Sequence, residues 1–310
     1  MPKVSIVLPT YNAGKFLRET METILAQTYE DFEFLIFDSA STDDTLEIIK
    51  SFDDTRITLT ELPFVCEAAI KRNLGFSQAQ GDYIMMMDAD DVNVPERLEK
   101  QVAFLDEHPD VHVLGSQYIT FEDGKEDILV PVPANDGVIK AHFLRATGSG
   151  IHSPTVLMRR DFLLKHSIFF RVVRAGEGQM FWNDWMKAGA RFANIQEPLV
   201  RYRRHEASHV YSRREAFQEA QTEIREELLT LFFPHLTRAE ARKLAQMMEK
   251  GREHEISELA CGVVFAEKVA EFRVAQYGAD MNMLVQILAG AHQRAKEKMR
   301  RVLGQASSQS

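Results

Sequence analysis

The sequence predicts an α/β protein, with a sheet flanked by helices and an all-helical C-terminal region. Three observations lead there. The first third alternates short apolar runs with stretches of helical spacing, the pattern of parallel strands joined by crossover helices. From about Ser212 onward the composition shifts to Glu, Ala, Leu, Arg and Lys, all good helix formers. Within the first of these regions, Asp88, Asp90 and Asp91 stand directly behind the apolar run 83–87. Open α/β sheets bind their ligands at such carboxyl ends of strands.

Taken in order, residues 4–8 read as the first strand, and Phe16, Leu17, Ile24 and Leu25 recur at helical spacing behind it. Residues 34–37 give a second strand, with Leu46, Ile48 and Ile49 the core face of the next helix. A third strand over 57–59 leads to a helix over 67–80 closed by Gly81, and 83–87 is the fourth strand. A helix follows at 95–100, with Pro95 in its first turn. Beyond Pro109 the pattern loosens into candidate strands at 111–121, 155–158 and 192–200, separated by loops at Gly148, Gly150, Gly176 and Gly178. Pro234 and Gly278 are expected to break the helical region. The expected domains are 1–211, with halves meeting near residue 110, and a helical 212–310.

Whole-chain properties exclude several classes. A length of 310 residues allows a substantial core, and a net charge of −9 argues against wholesale nucleic-acid binding. Cys66 and Cys261 lie far apart without zinc-like spacing, so neither a disulfide framework nor a zinc site is expected. No apolar run reaches membrane-spanning length, the opening apolar stretch is too short for a signal peptide, and only 306–310 is of low complexity. The expected location is cytoplasmic.

Clustered carboxylates repel unless a cation joins them, and a few hard oxygen ligands with room left for phosphates suit Mg²⁺ or Mn²⁺. Capping is the competing role for Asp91, or for Asn93, ahead of the helix at Pro95. Asp38, behind the second strand, is placed to accept hydrogen bonds from a base or ribose, or to fix a turn. Thr10 and Tyr11 follow the first strand, where either could contact a base and Tyr11 offers a ring for stacking. Arg72 either reaches a diphosphate or lies solvated on its helix. A dinucleotide-binding oxidoreductase is set aside, because Pro9-Thr10-Tyr11-Asn12 stands where a Gly-x-Gly-x-x-Gly loop would.

Together, Val4-Ser5-Ile6-Val7-Leu8-Pro9-Thr10-Tyr11-Asn12, the run 37–45, Ala69-Ile70-Lys71-Arg72-Asn73 and Gly81-Asp82-Tyr83 ahead of Asp88-Ala89-Asp90-Asp91 resemble the family-2 glycosyltransferases. The likeness extends in order over roughly residues 3 to 205. It implies the GT-A fold, a Rossmann-like mixed sheet, and inverting transfer of a sugar from a nucleoside diphosphate, with a UDP-sugar the expected donor. It further implies that Pro9, Thr10, Tyr11, Asp38, Arg72, Asp88, Ala89 and Asp90 bind the nucleotide sugar. Asp90, joined by His205, would ligate Mn²⁺ or Mg²⁺. Residues 192–200 with Tyr202-Arg203-Arg204-His205 resemble the closing strand and its Tyr-Arg-x-His ending, with Arg203 placed to cover the diphosphate; a basic surface is the alternative. His152, in a segment resembling the acceptor side, either binds substrate or is a structural hydrogen bonder, and Trp182 belongs to the same side.

Two positions depart from the family pattern. Members usually present Glu-Asp ahead of the tryptophan-bearing helix, the Asp serving as base, whereas this chain has Glu177-Gly178. Glu177 is therefore the expected base, with Asp184 or loss of activity as alternatives. Ser39 replaces a second aspartate common in relatives, which implies an altered donor preference or a changed hydrogen bond.

The resemblance places the acceptor among saccharides or lipid-linked saccharides of cell-surface polysaccharide or glycolipid synthesis. In the tail, Ile256, Leu259, Val263 and neighbouring apolar residues suit core packing or a homodimer. Arg294, Lys296, Lys298, Arg300 and Arg301 form either a solvated helix end or a peripheral contact with anionic lipid at the inner face of the membrane. The contrasting reading of the whole chain is a catalytically silent nucleotide-sugar-binding or scaffold protein of the same fold.

Overall fold

The computed structural model describes residues 1–146, 150–205, 214–249, 256–271 and 274–307. Gly148, the boundary expected at 211/212 and residues 308–310 lie outside the described residues. The chain forms two compact units: Met1–Asn135 with Ile151–Val173 and Met180–Ser208, and Asp136–Gly150 with Arg174–Gln179 and His209–Ser310.

The first unit opens with the expected alternation: β1 (Val4–Thr10), α1 (Gly14–Leu25), β2 (Phe32–Ser39), α2 (Thr45–Lys50), β3 (Ile57–Leu62), α3 (Ala68–Gln78) and β4 (Tyr83–Met86). β5 (Val92–Asn93), α4 (Arg97–Glu107), β6 (Val113–Phe121) and β7 (Ile128–Val130) follow. After α5 (Asp136–Phe143), which belongs to the second unit, come β8 (Leu157–Arg159), α6 (Arg160–Lys165), α7 (Glu177–Lys187) and β9 (Phe192–Arg203). Among the described residues the strands form one sheet in the order β3-β2-β1-β4-β8-β6-β9-β5, with β7 added beside β6. β3, β2, β1 and β4 are mutually parallel, whereas β8 is antiparallel to both β4 and β6, so the sheet is mixed as expected.

Alternation within the strands builds the core. Val4, Ile6 and Leu8 of β1, Phe34 and Ile36 of β2 and Met85 of β4 meet Leu17, Met21 and Ile24 of α1 and Leu98, Val102 and Leu105 of α4. Full burial of each such side chain contributes roughly 1.5–3 kcal/mol. The opposite face receives α3, where a Cβ on Gly75 would lie 2.3 Å from Val7 Cγ1, so any larger residue would push the helix off the sheet. Gly81 differs from expectation. α3 ends at Gln78 with Ala79 as its cap, and Gly81 is needed because a Cβ there would come within 2.7 Å of the β1 backbone.

β1 neighbours both β2 and β4, while the chain runs outward from β1 to β3 before returning. The carboxyl ends of β1 and β4 therefore flank the crevice where strand order reverses, the binding position of open α/β sheets.

The second unit is helical, with α5, α8 (Arg214–Phe232), α9 (Arg238–Met248), α10 (Ile256–Ala270) and α11 (Met281–Ser307). α8 ends just ahead of Pro234, and Gly278 lies in a turn at φ +71, so both expected breaks occur. Thr237 and Glu240 close a capping box at the start of α9. Among the described residues no helix is long and apolar enough to cross a membrane.

Candidate active site

The loops after β1 and β2 are laced to one another. Thr10 pairs with Asp38 in the sheet register, and Asp38 is fully buried. Its carboxylate accepts hydrogen bonds from the Thr10 hydroxyl (2.9 Å), the Ser41 hydroxyl (2.5 Å) and the Ser41 N–H (2.9 Å). Asn12 donates its N–H to Ser41 Oγ (2.9 Å) and accepts the Thr42 N–H on Oδ1 (2.8 Å). Both Asn12 (φ 47) and Ala40 (φ 54) adopt left-handed backbone. Asn tolerates this conformation, whereas alanine pays roughly 1–2 kcal/mol, a strain the surrounding hydrogen bonds maintain. Pro9 is buried in β1, and the ring of Tyr11 is 46 % exposed at its end.

Behind β4, each carboxylate has its own partner. Arg72 Nη2 donates to Asp88 Oδ1 at 2.5 Å, and Asp90 Oδ2 lies 2.8 Å from His205 Nε2. Asp91, fully buried, accepts the Arg203 N–H on Oδ1 at 3.0 Å, while its Oδ2 has no partner among the described residues. Ala89, between them, rests against the core. The antiparallel pairing of β5 with β9 at Val92–Arg201 carries Arg203 and His205 to this turn. Neither Asp91 nor Asn93 caps α4: its N-cap is Glu96, and Asn93 Oδ1 accepts from Arg97 Nη1 at 2.6 Å.

Arg203 is committed differently from a group that covers phosphate. Its buried guanidinium lies between Phe16 (4.5 Å) and Phe121 (4.4 Å), donates to the Asp90 carbonyl at 3.0 Å and is bound by Glu19. It braces the Asp90–Asp91 turn. Arg201 pairs with Asp127 at 2.9 Å.

The electrostatics of the turn are strained by like charge. Burial, reinforced by Asp88 and Asp90, holds the Asp91 carboxyl well above the usual carboxylate range. Burial and Asp88 also push Asp90 up, with His205 opposing. Arg97 is buried nearby, and burial brings its guanidinium down to about 9 against the pull of Asp91.

Among the described residues no three His, Cys, Asp or Glu side chains converge on one metal position. The donor set nevertheless fits a divalent cation that keeps positions for phosphate oxygens. Asp90 Oδ2 and His205 Nε2 lie 2.8 Å apart, a hard oxygen and an imidazole nitrogen close enough to share one cation, and the penalty that burial and then Asp88 place on the Asp90 carboxylate is of the kind a cation removes.

On the acceptor side expected from sequence, His152 stacks on Tyr118 (4.0 Å between centroids) and meets Tyr202 edge-on at 4.8 Å. Its buried Nε2 has no partner among the described residues, and burial brings the imidazole down to about 4. Trp182 is buried and donates Nε1–H to Ser153 Oγ at 3.2 Å, so it fixes the residue beside His152. Asp184 is held by Arg171 through both carboxylate oxygens, at 2.6 and 3.1 Å.

Glu177 begins α7 within the second unit, immediately after Gly176 at φ +81. A Cβ on Gly176 would lie 2.9 Å from Ile224 of α8, which anchors the approach to Glu177. Its own carboxylate has no hydrogen-bond or ion-pair partner among the described residues.

Sequence reasoning overlooked several residues of the site. Tyr118 and Arg97 sit in ordinary strand and helix patterns and carry no local signal. Asn12, Ser41 and Thr42 read as turn residues, and nothing in their spacing shows that two loops tie together. Lys71 did leave a trace, since it lies four residues before Gly75 on the buried face of α3.

Comparison with known proteins is consistent with this architecture. EpsE of Bacillus subtilis strain 168, which bears a glycosyltransferase name, is 34 % identical over 220 residues, covering 69 % of this chain and 76 % of EpsE. The crystal structure of Staphylococcus aureus TarS 1–349 with UDP-GlcNAc superimposes with a TM-score of 0.63 at 19 % identity, covering 98 % of this chain and 92 % of that 1–349 fragment. The mannosyltransferase PcManGT from Pyrobaculum calidifontis, in complex with GDP-Man and Mn²⁺, gives a TM-score of 0.52 at 15 % identity over 99 % of this chain and 80 % of its own. The two solved structures share the GT-A fold with this chain. Residues 5–166 match glycosyl transferase family 2, and the chain belongs to that family.

Proposed function

We propose that this glycosyltransferase moves a sugar from a nucleoside diphosphate, a UDP-sugar, to a hydroxyl with inversion, in cell-surface polysaccharide or glycolipid synthesis. The observation that carries the reading is the Asp90–His205 pair at the carboxyl end of β4, beside Asp88 and Arg72. The UDP-GlcNAc named for TarS supports a UDP-sugar, and the GDP-Man named for PcManGT supports only the broader class of nucleoside-diphosphate sugars.

In this reading Thr10, Tyr11 and Asp38 form the nucleoside end, with Pro9 and Ala89 shaping the backbone around it. Asp88 and Arg72 face the ribose and diphosphate, and Arg203 keeps the Asp90–Asp91 turn in place. Asp90 and His205 would hold Mn²⁺ or Mg²⁺, which when bound neutralises charge developing on the leaving diphosphate. The acceptor hydroxyl of a saccharide or lipid-linked saccharide attacks the anomeric carbon on the face opposite the diphosphate. The new C–O bond forms as the C–O bond to phosphate breaks, and Glu177 takes the hydroxyl proton. Asp184 is a poorer base because Arg171 and Lys187 already hold its carboxylate. His152 and Trp182 shape the acceptor side.

Turnover of a nucleotide-sugar panel with Mn²⁺, measured as released nucleoside diphosphate, tests the proposal. Donor binding without turnover over a broad acceptor panel would favour the silent binding protein instead, a reading that Gly178 supports.

A further inference from the structure

Arg225 is an unusual occupant of the helical unit. It lies on α8 and is only 5 % exposed, yet its guanidinium makes no ion pair among the described residues. Its Nη2 donates to the Arg145 carbonyl at 2.8 Å, and Gln221, one turn earlier, donates to the Ala146 carbonyl at 2.9 Å, so α8 is tied to the chain just after α5. Nε and Nη1 of Arg225 are buried without a partner. Such a fork normally has its donors filled.

The charges around it call for an anion. Burial brings the Arg225 guanidinium down to about 10, with Glu249 pulling it up and Arg294 of α11 opposing. Glu249 forms no ion pair with Arg225, and its Oε1 is taken by the Thr222 hydroxyl. Arg294 is exposed, and Lys298 and Arg301 share its face of α11 at i+4 and i+7. Two guanidiniums thus share one neighbourhood, one buried with two donors unused and one at the surface. A carboxylate would bring a single charge, whereas a phosphoryl group brings up to two together with the oxygens that planar N–H donors match. The next residue back along α8, Ile224, supports the segment ahead of Glu177: a Cβ on Gly176 would lie 2.9 Å from Ile224 Cδ1 and 3.2 Å from Ala220 Cβ.

We infer that Arg225 and Arg294 form a phosphate-binding site of the helical unit, built from none of the donor-side residues, that takes the phosphoryl group of a phosphate-bearing acceptor. The inference rests on the proposed acceptor reading, in which Glu177 brings the acceptor to this unit. A lipid phosphate and a phosphate on a polar acceptor share this chemistry.

Isothermal titration calorimetry of the full chain, saturated with UDP and MnCl₂, tests it with farnesyl phosphate, glycerol 3-phosphate and farnesol. At least one of the two phosphates should bind and farnesol should not. Tighter binding of farnesyl phosphate assigns the group to a lipid; equal binding assigns it to a polar acceptor. Arg294→Gln should weaken phosphate binding by about tenfold or more and leave UDP affinity unchanged. Because Arg294 is exposed, that variant is expected to fold even where Arg225→Gln does not. In sugar transfer the bound phosphate should compete with the acceptor and not with the UDP-sugar. Absence of phosphate binding, displacement of the phosphate by UDP, equal binding of farnesol, or an unchanged affinity in Arg294→Gln each overturns the inference. An Arg225→Gln variant that melts lower yet binds phosphate as well as wild type would confine Arg225 to holding the Arg145 carbonyl, which also overturns it. Failure of UDP itself to bind overturns the donor reading instead, so the two failures are distinguishable.

Discussion

The donor-side turn and the segment around Glu177 carry the same chemical currency, the carboxylate, in opposite states of restraint. Asp38, Asp88, Asp90 and Asp91 each meet a named partner at 2.5–3.0 Å. Glu177, between Gly176 and Gly178, has none among the described residues. Groups that bind a constant ligand gain from being held in place beforehand, since ordering is then not repeated at each binding event. A group that accepts a proton from a varying acceptor is better left adjustable, because hydrogen bonds from its own chain would compete for its basic lone pairs.

The strongest way to break that contrast is to disable the held side. Asp90→Asn should lower transfer by about a thousandfold or more, as expected when charge stabilisation of a leaving group is lost. The same variant should remove the Mn²⁺ dependence of UDP affinity in calorimetry. Undiminished turnover would detach the Asp90–His205 pair from catalysis.

Glu177→Gln addresses the free side. It should reduce kcat by about 10²–10⁴-fold with donor affinity intact, read by pairing steady-state kinetics with UDP titration. Retained turnover would remove Glu177 as the base.

His152 sharpens the comparison through pH. Burial lowers its folded-state pKa to about 4 from a usual value near 6.5, so the unfolded chain binds more protons between those values. Stability tied to this residue is complete above about pH 6.5 and is lost as pH falls toward 4, up to about 3 kcal/mol. His152→Phe should flatten that part of the urea-unfolding profile. An unchanged slope would mean the imidazole is not kept neutral by burial.

The smallest effect is expected at Asp184. Its ion pairs with Arg171 and Lys187 are partly exposed, so Asp184→Asn should cost about 1 kcal/mol or less in thermal or urea unfolding and leave kcat nearly unchanged. A collapse in kcat would move the base to this residue.

Much of the fold was legible because periodicity is a local property. β1 to β4 and the helices between them were expected at nearly their observed positions, since apolar spacing reports which face each segment buries. The second half was harder. β6, β8 and β9 meet through antiparallel and parallel pairings between distant segments, and no local spacing encodes such partners. Helix starts were also blurred: Asp91 and Asn93 look like caps in sequence, yet the chain continues through β5 before α4 begins.

The sequence by itself determined the alternating donor half, the placement of Asp88, Asp90 and Asp91 behind a buried strand, and the helical tail. Each depends on residues near one another in the chain. Tertiary structure decided which of those groups remain available. β5–β9 pairing brought His205 to Asp90 and turned Arg203 into a buried brace, packing against the sheet enclosed Lys71 beneath Tyr11, and Arg171 claimed Asp184. The physical reason is that a side chain's chemistry depends on its solvation and its partners, which only folding assembles.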